Sequence, residues 1–246
     1  MTAELSIHDQ TITTASHVRG RHSSVRETGL LIGAVLFSCM LAFAAPYDVL
    51  FDWATIGFPA VRAAAMLLFW WAGLALMRAN AFEFAITGLR RPGLTIGLWA
   101  VGVAVWCISL DAVVFRSIMA PAYQHFEQQS LTARLFYVCL RAVNENVLYR
   151  LFLGSLFAWL LRRIVRRPRW DLLLVMAGMT AAQVINIAAN MAYADFSPLT
   201  CLWLALRFVC PGVAWAWLYV RHGFAANEAA AVGVHLVLQP LVTIAF

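Results

Sequence analysis

Lysine is absent from this chain: all 18 basic residues among its 246 are arginine. Charge of either sign is scarce. Asp, Glu, Lys and Arg together make up 12% of the sequence, about half the roughly 25% of a soluble globular chain. That scarcity excludes a soluble enzyme and a disordered protein. No two of the five cysteines (Cys39, Cys107, Cys139, Cys201, Cys210) form a CxxC pair, and each lies in or beside an apolar run. Neither a disulfide framework nor a zinc site fits them; they read as small apolar fillers. The chain also lacks internal repeats, low-complexity stretches and any segment that sets off a second domain.

What is present is apolar. Hydrophobic residues make up 63% of the chain, against roughly 45–50% in soluble proteins, and mean hydropathy is +0.77. The runs are continuous and long, unlike the alternating strands of a transmembrane barrel. They fall at about 30–45, 58–77, 94–115, 135–161, 172–191, 200–220 and 228–246. A hydrocarbon core of about 30 Å needs this order of length at about 1.5 Å per residue. The expected fold is all-α: a polytopic helical membrane protein of about seven transmembrane helices. Residues 1–28 form a polar cytoplasmic tail and 29–246 a single transmembrane domain. The first run ends in Ala42-Phe43-Ala44-Ala45-Pro46, which resembles a signal-peptidase site. The long polar stretch before it favours an ordinary first transmembrane helix.

The net charge of +6 bears on topology rather than on nucleic acid, which is not an expected partner. Arg19, Arg21 and Arg26 precede the first run, whereas the 46–57 loop has no arginine. The 78–93 loop carries Arg78, Arg90 and Arg91. The 116–134 segment, with Arg116 and Arg134, is the weakest case. The 162–169 loop holds Arg162, Arg163, Arg166, Arg167 and Arg169, the 192–199 loop none, and the last loop Arg221. The alternation places the N-terminus in the cytoplasm and the C-terminus outside.

Ionisable groups inside an apolar span are expensive, at about 2.5–3.5 kcal/mol for a charge at helix centre, so the polar residues within the runs are the informative ones. The fourth run carries Arg141, Glu145, Asn146 and Arg150, with Arg141 four before Glu145 and Asn146 four before Arg150. Glu145 is either a catalytic carboxylate or half of a self-neutralising structural pair with Arg141. The fifth run carries Gln183, Asn186 and Asn190 on one helical face, where amides also serve as hydrogen-bond glue between helices. The seventh carries His235 and Gln239, four apart, then Pro240, which frees a carbonyl and predicts a local kink. Three polar faces avoid lipid by meeting one another, so Glu145, Asn190 and His235 are expected to line one internal cavity. A carboxylate, an imidazole and amides suit water activation and oxyanion stabilisation, and suit a metal poorly. Asp111 and Arg207 read as snorkelling or paired charges. Cys210-Pro211-Gly212 reads as a helix bend rather than a thiol nucleophile, since nothing near it favours a thiolate.

These segments, in this order, resemble the CPBP family of membrane proteases, the family of the CAAX prenyl endopeptidase and its bacterial relatives. The usual pattern is E-E-x-x-x-R, then F-x-x-x-H, then H-x-x-x-N or H-x-x-x-D. Here the motifs read Glu145-Asn146-Val147-Leu148-Tyr149-Arg150, Asn186-Ile187-Ala188-Ala189-Asn190 and His235-Leu236-Val237-Leu238-Gln239. Pro211-Gly212, Trp217-Leu218-Tyr219 and Arg221-His222-Gly223 also look like the family's C-terminal part. The resemblance covers about 130–246. It implies a glutamic-type protease without a metal or other cofactor. In it Glu145 activates water, His235 and Gln239 stabilise the oxyanion, and Arg150 orients the carboxylate region. The second Glu of the pattern is Asn146 here, the second-motif His is Asn190, and the final Asn is Gln239.

The expected function is an intramembrane endopeptidase of the bacterial cytoplasmic (inner) membrane, with a membrane-embedded peptide or protein as substrate. Glu145, His235 and Asn190 are its catalytic candidates, and Asn146, Arg150, Gln239 and Asn186 its supporting ones. The alternative is a catalytically inactive relative that binds a peptide or partner membrane protein, in the manner of an immunity protein. A small proton-linked transporter is weaker, because no inverted repeat is visible.

Overall fold

The computed structural model describes residues 25–44, 58–119, 129–190 and 197–246. Residues 1–24 of the expected polar tail, the 46–57 loop, the centre of the 116–134 segment and residues 192–196 lie outside the described residues, and positions 25–28, expected in the tail, belong to the first helix. Among the described residues the long helices, in chain order, are α1 (Val25–Ala44), α2 (Pro59–Ala79), α3 (Pro92–Val114), α4 (131–165), α5 (Asp171–Asn190), α6 (Pro198–His222) and α7 (Phe224–Ala245). No strand occurs among the described residues. The all-α expectation holds there.

By length and composition, α2, α3, α5, α6 and α7 are able to cross a membrane. α1 contributes a shorter apolar stretch, Thr28–Ala44. α4 carries Arg134, Arg141, Glu145, Arg150, Arg162 and Arg163 along its length. Its first half packs on α7, its middle on α2 and α5, and its last turns on α5. The outer surface is apolar, with Trp71 70% and Ile244 82% exposed, as lipid-facing side chains require.

Local sequence explains the ends. Pro59, Pro92 and Pro198 occupy first-turn positions, where a missing N–H costs nothing. Ser130 Oγ accepts from Ala133 N at 3.2 Å and Ser197 Oγ from Thr200 N at 3.1 Å, capping α4 and α6. Gly223 separates α6 from α7 at φ 93°, and a Cβ there would strike Ala85 O. The 82–88 connection clasps this turn: Phe224 N donates to Glu83 O, Ala225 N to Phe84 O and Thr87 N to His222 O.

Three helices widen into π-turns: α3 at Leu110–Val114, α4 at Asn146–Gly154 and α6 at Ala205–Val209. Such turns leave carbonyls without regular donors, and Pro211 removes the N–H that would face Arg207 O. Neighbouring helices supply the donors. Trp106 Nε1 donates to Leu206 O at 2.9 Å, Cys107 Sγ to Arg207 O at 3.8 Å, and Gln183 Nε2 to Phe208 O at 3.4 Å. Pro240 lies inside α7, which continues to Ala245.

Two apolar clusters flank the middle of α4. Met66, Trp70, Val147, Leu151, Met179, Tyr219 and Phe224 join α2, α4, α5 and the α6–α7 turn. Ala104, Cys107, Trp215, Leu218, Ala231, Val234 and Leu238 join α3, α6 and α7. Between the clusters the helices leave a cavity.

Candidate functional site

The cavity has a volume of about 380 Å³ and is walled by α3, α4, α5, α6 and α7. α4 contributes Tyr137, Arg141, Glu145, Asn146 and Arg150. α5 contributes Gln183 and Asn186, α6 Arg207, and α7 His235. The remaining wall is mostly apolar, including Val103, Trp215, Val234 and Leu238. Five of the sequence-derived candidates therefore share one space: Glu145, Asn146, Arg150, Asn186 and His235. Gln239 is buried one turn beyond His235 and is not part of the wall. Asn190 ends α5, and its side chain lies outside the described residues.

Glu145 enters the wall as half of an ion pair. Arg141 Nε donates to Glu145 Oε1 at 2.6 Å across one turn of α4, and Arg141 Nη1 donates to Tyr137 OH at 3.2 Å. This is the i, i+4 pairing that the spacing allows. Arg150 Nη2 reaches α5, donating to Gln183 Oε1 at 3.3 Å. Asn146 is 1% exposed, and its Nδ2 has no hydrogen-bond partner. His235 Nδ1 is likewise buried and unpartnered. Buried donors and acceptors are normally satisfied, so these two groups are free to meet a ligand or water.

Asp111 and Arg207, read from the sequence as snorkelling or paired charges, pair with one another. Arg207 Nε donates to Asp111 Oδ2 at 2.8 Å, and Trp203 Nε1 donates to Asp111 Oδ1 at 3.0 Å. Asp111 is fully buried, and Arg207 still faces the cavity. Cys210 is exposed and has no part in the wall.

One acidic residue escaped the sequence reading. Glu228, in the first turns of α7, buries both carboxylate oxygens without a hydrogen-bond partner. Its signal was its spacing: it lies seven residues before His235, two helical turns along the same face. It was overlooked because it sits at the start of the seventh apolar run.

Among the described residues, no three His, Cys, Asp or Glu side chains gather as a metal-binding group. The wall offers amide and guanidinium donors, one imidazole and one carboxylate, a set suited to gripping a polarised carbonyl and a water. No protein family, no curated protein and no solved structure matches the chain.

Proposed function

We propose that this chain is an integral membrane protein of seven spans that acts as a glutamic-type intramembrane endopeptidase. Its substrate is a hydrophobic or membrane-anchored peptide. The observation that carries the reading is the convergence of Glu145, Asn146, Arg150, Asn186 and His235, from three helices, on one cavity among helices of membrane-crossing length. In the mechanism, Glu145 takes a proton from a water held in the cavity, and the oxygen adds to the scissile carbonyl. His235 and the amides of Asn146 and Asn186 donate to the oxyanion as it forms. The C–N bond then breaks, and the proton held by Glu145 passes to the leaving amine. Arg150 keeps the Glu145 region oriented, and the resemblance assigns support of the water to Asn190 and of the oxyanion to Gln239, which lies one turn beyond His235. α1 and α4 complete the seven spans. The arginine alternation supports a cytoplasmic N-terminus, and the resemblance to bacterial relatives supports a bacterial cytoplasmic membrane.

A second reading has its own support. The Glu145–Arg141 pair is complete without any ligand, and Asn190 stands where the resembled motif has His. A protein of that kind holds a peptide or partner membrane protein in the cavity without cutting it. Purified protein in proteoliposomes, incubated with a library of membrane peptides and read by mass spectrometry, separates the two. Wild type yields defined new termini. Glu145→Gln, which keeps the shape but removes the base, lowers their yield by about 10²–10⁴-fold. Equal cleavage by Glu145→Gln rejects the assignment of the base. Retention of peptides without cleavage favours the binding protein.

A further inference from the structure

Glu228 is a buried acid that the mechanism above leaves unused. A carboxylate sealed from water with no donor is a costly arrangement, and buried polar groups are normally paired. Neither Glu228 oxygen completes a hydrogen bond, nor does Asn146 Nδ2. Asn146 and Arg150 share the cavity wall with His235, which follows Glu228 by two turns on the same face of α7. A buried acceptor on α7 and a buried donor on α4, each short of a bond, thus border the same part of the core. Asn146 and Arg150 lie in the π-turns of α4, whose widened backbone admits small shifts more readily than a regular helix. On α7, Glu228 lies about 10.5 Å along the axis from His235, on the same face. It is outside the cavity wall, whereas Asn146, Arg150 and His235 are in it.

We propose that Glu228 is a positioning residue: its carboxylate accepts from Asn146 Nδ2 and from Arg150, and so fixes both donors toward whatever occupies the cavity. The proposal rests on the protease reading for its effect on rate, but not for the contact itself. Glu228 does not touch the reacting atoms. It aims the Asn146 amide at the oxyanion and holds Arg150 between α4 and α7, and a misplacement of about 1 Å in such groups is costly.

The test has two readouts on the full-length protein in proteoliposomes. The first is the thermal unfolding midpoint of wild type, Glu228→Gln, Asn146→Leu and the double variant. The expected result is coupling: the double variant unfolds no lower than the less stable single one. Additive shifts overturn the proposal whether or not the protein cleaves. The second readout is cleavage of the same membrane-peptide library. Glu228→Gln is expected to lower kcat about tenfold or more at unchanged KM. The conservative variant Glu228→Asp, which keeps a carboxylate on α7 and leaves the Asn146 amide in place, is expected to restore part of it. Undiminished kcat in Glu228→Gln, or a Glu228→Asp variant no better than Glu228→Gln, overturns the proposal. Coupled midpoints in a protein that cleaves nothing overturn the protease reading and leave the Glu228–Asn146–Arg150 contact standing.

Discussion

Asn190 and Asp111 illustrate how differently single polar residues behave in an apolar chain. Asn190 follows Gln183 and Asn186 in the sequence at helical spacing, and an amide holds a water as donor or acceptor. Asn190→Ala is therefore expected to lower cleavage at least about tenfold, through loss of one hydrogen bond to the water or the transition state. Asn190→His is expected to keep or raise activity. Initial rates on one cleaved peptide measure both, and wild-type rates in Asn190→Ala refute the role. If wild type is inert and Asn190→His cleaves, the binding-protein reading takes over. Asp111 acts on stability instead. It holds Arg207 Nε and Trp203 Nε1 with its two oxygens, so Asp111→Ala removes the buried carboxylate that both donors share. The expected cost is about 3–5 kcal/mol, measured by reversible unfolding in detergent. Replacing both partners by Leu is expected to recover much of that loss. A wild-type unfolding curve for Asp111→Ala contradicts the account.

At the scale of elements, the cavity depends on how closely its helices approach elsewhere. α5 lies on the last turns of α4 at Gly178, where a Cβ would come within 2.5 Å of Ala158 N and 2.8 Å of Phe157 C. These are backbone atoms that cannot swing aside, and small residues at such crossings let membrane helices touch. Gly178→Leu is expected to part α4 from α5, costing about 1–3 kcal/mol by overpacking. Because Gln183 and Asn186 are carried on the same helix, cleavage falls with stability. A Gly178→Leu protein that is as stable and as active as wild type removes this crossing from the description. The π-turns belong to this scale too. They fall where the chain carries Asp111, Asn146, Arg150 and Arg207, and their loosened carbonyls on α6 are met by Trp106, Cys107 and Gln183. Hydropathy periodicity locates a helix but not a local change in its pitch, so these turns were not legible in the sequence.

Across the whole molecule, orientation is a matter of charge. Five arginines in 162–169 against none in 192–199 support the proposed orientation, with the first loop in the cytoplasm and the second outside. Single cysteines introduced into each loop, on a cysteine-free background, are the check. A membrane-impermeant thiol reagent added to intact cells is expected to label the 192–199 cysteine and spare the 162–169 one. The reverse pattern inverts the topology.

Composition alone determined that this chain is helical and apolar: 63% hydrophobic residues in long unbroken runs leave backbone groups no better partners than their own helix. The spacing of Glu145, Asn146, Arg150, Asn186 and His235 also determined which face of each helix is polar, because side chains three, four or seven apart stack on one side. Which faces meet was decided by tertiary packing. Only the fold shows that Arg141 takes Glu145, that Asp111 takes Arg207 ninety-six residues away, and that Arg150 reaches Gln183. Only the fold likewise buries both Glu228 oxygens without a partner and leaves Gln239 off the cavity wall. The reason is physical. A helix's own periodicity is local, whereas the partner of a buried charge is chosen by where the helices cross, and glycines such as Gly178 set how closely they do so.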